Sequence, residues 1–219
     1  PKKSTALLED FEVKRDLIAR EACGRNVTNI SGVPSWMLSV LTRLQELTGQ
    51  TDISAVWPGL EVFFHGGVAF TPYRDRYKEI ISSPHMHYME TYNASEGFFG
   101  VQNDLADPAM LLLTNLGVFY EFIPLEEVGK DNPNAVPIWQ VETDRNYAMV
   151  ISTTSGLWRY QIGDTVKFTH LNPYKFFISG RTRSFINAFG EELIVDNAEK
   201  GLCAACGATG AEVAEYTAA

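Results

Sequence analysis

The sequence predicts an α/β to α+β protein, on three observations. Helical and strand-like segments alternate before Met110. From Met110 onward, short β-rich runs follow one another between turn residues, which is the texture of an antiparallel region. The last part returns to helix and reads as the start of a small α/β piece.

Taken in order, residues 4–22 read as a helix, with Ala6, Leu7, Phe11, Leu17 and Ile18 near helical spacing among charges. A second helix follows Pro34, which suits a first-turn position. Its apolar face is Trp36, Met37, Val40, Leu41, Leu44 and Leu47, and Gly49 ends it. Leu60–Phe64 is a strand, broken by Gly66-Gly67. Pro72 opens a helix through Ile81, and Met86–Tyr92 is a strand followed by a polar turn at Asn93–Gly97. Beyond Met110 the expected strands are Leu111–Thr114, Val118–Ile123, Ile138–Val141, Tyr147–Thr153, Leu157–Tyr160, Thr165–Thr169 and Lys175–Ile178. Turn residues separate them at Asp131–Pro137, Ser155-Gly156, Gly163-Asp164 and Asn172-Pro173. A helix from about Asp196 to Cys206, capped by Gly207, precedes a strand-like Glu212–Tyr216.

Composition narrows the function classes. With 219 residues, 45% hydrophobic and 12% aromatic, the chain can bury a sizeable core, which rules out wholesale disorder. Eighteen Lys and Arg against 27 Asp and Glu give a formal net charge of -9. A uniformly acidic surface repels phosphate backbones, so nucleic acid is not an expected partner, while a small nucleotide in a locally different pocket stays open. Apolar runs such as Met110–Leu113 and Val62–Phe64 fall far short of the roughly 20 residues of a spanning helix, so no membrane partner is expected either. Lys2–Arg25 is too charged for the apolar stretch of a secretory signal. Three cysteines do not make a disulfide framework and point to a reducing, cytoplasmic setting. In that setting the glycosylation-type triplets at Asn26, Asn29 and Asn93 carry no meaning.

Several segments offer chemistry, each beside a plainer reading. Tyr92-Asn93-Ala94-Ser95-Glu96-Gly97 sets an aromatic, a hydroxyl and an acid at a strand end, suited to ring stacking, phosphate contact and Mg²⁺ ligation; otherwise it is a polar turn. Tyr160-Gln161-Ile162-Gly163-Asp164 holds an Asp that could accept from the vicinal hydroxyls of a ribose, or a tight turn. Gly180-Arg181-Thr182-Arg183 leaves a strand end and could clamp a phosphate or ribose, or be a charged linker. His65 before Gly66-Gly67 could let a ligand approach the backbone, or mark an ordinary strand exit. His85-Met86-His87 puts two imidazoles on one strand face without a third ligand. Cys203-Ala204-Ala205-Cys206 falls late in a helix, where packed small residues explain it better than zinc or redox chemistry. No GxxxxGK[ST], GxGxxG or GxSxG occurs.

The order of four segments is more specific than any one of them. Phe64-His65-Gly66-Gly67, then Tyr92–Gly100, then Leu157-Trp158-Arg159-Tyr160-Gln161-Ile162-Gly163-Asp164-Thr165, then Gly180–Leu193 resembles the GH3 family of acyl-acid amido synthetases, in a bacterial branch. These enzymes lie within the acyl-adenylate-forming superfamily, and the resemblance runs from Trp36 to Ala219. It implies residues 1–182 as a partial large adenylate-forming domain, a mixed sheet with helices plus an antiparallel barrel-like region, lacking the upstream phosphate loop. It implies residues 183–219 as the beginning of the small mobile C-terminal α+β domain. The implied reaction consumes ATP with Mg²⁺: a carboxylic acid is adenylated, then conjugated to an amino acid or other amine. By the same resemblance His65, Gly66, Gly67 and Asn93 belong to the cofactor-binding set, Tyr92 lines the adenine pocket, and Ser95 contacts the α-phosphate. Glu96 ligates Mg²⁺, Asp164 holds the ribose hydroxyls, and Arg181 reaches ribose or phosphate; Glu96 and Ser95 are the catalytic pair. Gln161 stands where the family usually carries Arg or Lys. The expectation is an internal fragment that does not turn over alone. The rival readings are an acyl-CoA ligase of the same superfamily and a non-catalytic module that binds a nucleotide or a protein.

Overall fold

The computed structural model describes residues 1–182, 185–188, 191–211 and 213, with side chains described up to 182 and again from 200. Arg183, Ser184, Phe189 and Gly190 of the fourth segment lie outside the described residues, as does the strand-like Glu212–Tyr216 apart from Val213. The chain divides into two units, Pro1–Glu90 and Thr91–Ala211.

The first unit alternates helix and strand. The helix expected over residues 4–22 is two helices, α1 (Lys3–Ala6) and α2 (Phe11–Cys23). The break has a local cause: the Asp10 carboxylate accepts from the Val13 backbone N–H at 3.0 Å, an N-cap that restarts the helix. After β1 (Asn29–Gly32), α3 (Pro34–Thr48) has Pro in its first turn and Gly49 at φ 68° beyond its end, as the sequence predicts. Next come α4 (Ile53–Val56), β2 (Val62–His65), a 3₁₀ turn at Thr71–Tyr73 and α5 (Arg74–Ile80). The strand β3 (His87–Ala94) carries the chain onward. β1 pairs parallel with β2, and β2 with the first half of β3, in the register His65↔Glu90. β1 and α4 were not expected, because four residues with one or two apolar positions carry no periodicity to read. The core gathers Leu41, Leu44, Ile53, Trp57, Phe63 and Tyr77. Two buried polar tips find backbone partners: Tyr77 Oη donates to the Pro34 carbonyl at 2.8 Å, and Trp57 Nε1 to the Ala22 carbonyl at 3.1 Å.

The second unit is antiparallel. Its strands are the second half of β3, β4 (Gly97–Gln102), β5 (Met110–Leu112), β6 (Val118–Pro124), β7 (Val136–Pro137), β8 (Asn146–Thr153), β9 (Tyr160–Leu171) and β10 (Tyr174–Arg181). Their order is β3-β4-β5-β10-β9-β8-β6-β7. Phe99 of β4 meets Tyr120 of β6 edge-on at 6.3 Å although four strands lie between them in that order, so the sheet curls around a shared core. Phe122, Tyr147, Phe168 and Phe176 fill it, giving the expected barrel-like region. A two-stranded ladder, β11 (Phe185–Ala188) with β12 (Glu191–Ile194), and α6 (Val195–Thr209) follow. The mixed pairing and the α/β to α+β class are those the sequence predicts.

Besides β4 (Gly97–Gln102), which was not expected, and Leu157–Tyr160, where only Tyr160 is strand, three expectations change. Ile138–Val141 is a 3₁₀ turn, Ile138–Gln140, not a strand. α6 runs past Gly207; the left-handed stop falls at Gly210, φ 68°, whose N–H reaches the Cys206 carbonyl at 2.8 Å. A mid-helix glycine costs only about 1 kcal/mol, which is tolerable here. The third change builds the site: Gly163-Asp164 is not a turn between two strands but lies inside one, β9.

Candidate functional site

The register around Gly163 explains how one strand passes through a turn-like dipeptide. Thr165 pairs with Ala148 of β8, but the next pair is Gln161 with Val150. Three residues of β9, Ile162 to Asp164, therefore face the single residue Met149, which is a bulge. Gly163 takes φ 94°, a conformation that favours glycine, and its carbonyl accepts the Thr182 N–H at 2.8 Å. The bulge re-aims Asp164 while the ladder continues on the other side, where Asp164 lies opposite Arg181 of β10.

Two donors hold the Asp164 carboxylate. Tyr92 Oη on β3 donates to Oδ2 at 2.6 Å, and Arg181 Nε donates to Oδ1 at 2.8 Å. The Asp164 side chain is 13% exposed and that of Arg181 63%, so the carboxylate is sheltered and the guanidinium reaches water. The hydrogen bond to Asp164 and its charge raise the Arg181 pKa. Burial, then the Asp164 charge, push the Tyr92 phenol far up, so it stays a proton donor. The ring of Tyr92 is buried between Phe99 (centroids 5.2 Å apart) and Phe176 (6.2 Å), so it belongs to the core of this unit. A carboxylate offers about four acceptor positions, so the two donors leave capacity for further hydroxyls.

The expected polar turn at Asn93–Gly97 shortens to a two-residue connection, Ser95-Glu96, between β3 and β4, with Ala94 opposite Gly97. Ser95 and Asn93 are exposed. The Tyr160 hydroxyl at the start of β9 hydrogen-bonds the Glu96 carboxylate, which raises the Tyr160 pKa, and the Glu96 charge also acts on Tyr92 and Arg181. The structure thus brings Tyr92, Glu96, Asp164 and Arg181 into one electrostatic group. Tyr160 joins it without having been singled out; its only sequence signal is its place four residues before Asp164 on what proves to be one strand.

His65, Gly66 and Gly67 lie in the first unit, at the exit of β2. The His65 ring is 4% exposed and stacks on Phe70, with centroids 4.2 Å apart. Burial, with the Arg74 charge adding to it, lowers its pKa to about 4, so the imidazole is neutral near pH 7. Gly67 takes φ 85°. His85 and His87 do not share a strand face, because β3 starts only at His87 and His85 sits in the preceding turn. Cys203 and Cys206 lie within α6, neither of them in a disulfide. Among the described residues no group of three or more His, Cys, Asp or Glu could hold a metal ion, and no helix is long and apolar enough to cross a membrane. For Mg²⁺ this leaves Glu96 as a single carboxylate, which fits an ion that takes most of its oxygens from phosphates and water.

The fold is shared with solved ligase structures. It matches the solved structure of a GH3.15 acyl acid amido synthetase with a TM-score of 0.72 at 17% identity, over 92% of this chain and 45% of that one. A 2-hydroxyisobutyryl-CoA ligase structure matches with a TM-score of 0.64 at 12% identity, over 87% of this chain and 40% of that one. Sequence narrows the class. The model of the GH3 family N-terminal domain matches residues 5–86, and that of the GH3 family central domain matches residues 111–181. Together they span well over half of the chain, which belongs to the GH3 family. Similar curated proteins include the indole-3-acetic acid-amido synthetase GH3.8 of Oryza sativa subsp. indica, 31% identical over 53% of this chain and 20% of its own length. The jasmonoyl--L-amino acid synthetase GH3.5 of Oryza sativa subsp. japonica is 34% identical over 42% of this chain and 19% of its own length. The matched part is about a fifth of these relatives and under half of the solved chains.

Proposed function

We propose that this chain carries the nucleotide-binding part of an ATP-dependent acyl-acid amido synthetase. The observation that carries the reading is the Asp164 carboxylate, sheltered at a strand bulge and held by Tyr92 and Arg181, beside the Ser95-Glu96 connection. The names of the curated relatives support a small carboxylic acid and an amino acid as the substrates. In the parent reaction a carboxylate oxygen attacks the α-phosphorus of ATP and pyrophosphate leaves. An amine then attacks the acyl carbon, loses a proton, and AMP departs. Activation is needed because a carboxylate is a poor electrophile, and the mixed acyl-phosphate anhydride replaces its oxide with a better leaving group, AMP.

The residues divide this work. Asp164 accepts from the vicinal ribose hydroxyls on its free lone pairs. The exposed guanidinium of Arg181 offers its remaining N–H groups to ribose or phosphate. Ser95 offers a hydroxyl to the α-phosphate, and Glu96 is the residue that would hold Mg²⁺. When bound, that ion neutralises phosphate charge during displacement. Gln161 is exposed and offers a neutral amide. Residues 1–182 belong to the large domain and 183–219 to the small one; three cysteines outside any disulfide fit a cytoplasmic setting.

Calorimetry with AMP and with ATP–Mg²⁺ tests this. Asp164→Ala should weaken both ligands at least tenfold, about 1.4 kcal/mol. Glu96→Ala should weaken ATP–Mg²⁺ more than AMP. Binding unchanged in both variants contradicts the assignment and favours a module without an adenylate site.

A further inference from the structure

The Tyr92 hydroxyl suggests a job other than lining the adenine. Its ring is buried against Phe99 and Phe176, and the one polar atom it carries ends on Asp164 Oδ2 at 2.6 Å. Arg181 Nε takes the other oxygen, Oδ1, at 2.8 Å. We infer that Tyr92 is the positioning residue for the ribose-binding carboxylate: it fixes the rotation of the Asp164 carboxyl plane, so that the lone pairs left free point toward a diol.

The physical case is one of unequal anchors. The Asp164 backbone sits in a bulge, where ladder hydrogen bonds on the β8 side are interrupted, so the strand alone does not fix its side chain. Of its two donors, Arg181 is 63% exposed on a long flexible stem and competes with water. Tyr92 is clamped on both sides by core aromatics and has no freedom beyond its own hydroxyl rotor. The rigid donor sets the geometry and the mobile one supplies charge. A hydrogen bond to an ionised acceptor is also among the stronger kind. Rotation of the carboxylate by even a modest angle would spoil a bidentate acceptor while leaving its charge in place, so the loss would be selective for vicinal hydroxyls.

This rests on the reading of Asp164 as a ribose acceptor, and the test separates the two. Tyr92→Phe removes one oxygen and keeps the ring, so the core stays filled. AMP and 2′,3′-dideoxy-AMP are titrated calorimetrically into the wild-type chain, Tyr92→Phe and Asp164→Asn. The expected result is a preference of wild type for AMP that falls about tenfold in Tyr92→Phe, with dideoxy-AMP binding unchanged; a merely structural role would weaken both nucleotides alike. Tyr92→Phe that keeps the full preference, while Asp164→Asn loses it, overturns the positioning role and leaves the ribose reading intact. Asp164→Asn that keeps the preference overturns both. Crystal structures of the wild-type and Tyr92→Phe chains give a readout independent of ligand. A turned Asp164 carboxylate in the variant supports the role, and an identical one overturns it.

Discussion

The two units treat their polar candidates in opposite ways. In the first, His65 is buried in an aromatic stack with Phe63 and Phe70, and burial keeps it neutral. In the second, a bulge delivers the Asp164 carboxylate to two donors, one of which reaches solvent. Burial, with a nearby cation adding to it, lowers this histidine's pKa and makes it part of the packing. Partial burial with partners organises a carboxylate for recognition. The same sequence-level flag, a polar residue beside glycine, therefore leads to different chemistry.

The largest effects should come from the cores themselves. Phe63→Ala in the first unit and Phe122→Ala in the second each empty a fully buried ring position, with an expected loss of about 3–5 kcal/mol in urea unfolding. If either were nearly neutral, that unit's core would not be where Phe63 or Phe122 lies.

pH separates the two polar groups next. Above about pH 6.5 His65 is neutral in the folded and the unfolded chain and adds no slope. Below that, the unfolded chain takes up a proton that the native site refuses until about pH 4, so stability falls as pH drops through this window. The expected size is about 1–3 kcal/mol across it. His65→Phe should flatten that part of the pH–stability curve, and an unchanged slope would place its origin elsewhere.

A tighter contrast comes from glycines. Gly100→Ala would bring a methyl group to 2.8 Å from the Phe176 ring inside the second core, an overpacking expected to cost about 1–3 kcal/mol. At Gly49 a methyl group meets no neighbour, yet the φ of 68° penalises it, so Gly49→Ala should cost only about 1 kcal/mol. Thermal unfolding of the two variants should rank them in that order.

Legibility in the sequence followed the same division. The long periodic helix α3 is readable from Pro34, its apolar face and Gly49, because each signal reports local physics. In the second unit β5, β6 and β8 are readable within two residues, since β-rich runs between turn residues leave few options there. The short β1 and α4 are not, because tertiary pairing and packing rather than pattern create them. Gly163-Asp164 misleads for a related reason: turn chemistry and bulge chemistry use the same residues, and only the partner strands decide between them. The candidate residues themselves came from the order of four segments. What pattern could not supply was their mutual geometry, the buried Tyr92 ring and the Glu96–Tyr160 hydrogen bond.

The central claim is that Asp164 is the ribose acceptor of an adenylate site, and a crystal structure of this chain with a non-hydrolysable acyl-adenylate analogue tests it most directly. The account predicts both ribose hydroxyls within hydrogen-bond distance of the Asp164 carboxylate, with Tyr92 still bonded to it from behind. An analogue bound with its ribose away from Asp164, or an Asp164 carboxylate that touches only Tyr92 and Arg181 in the complex, would contradict it.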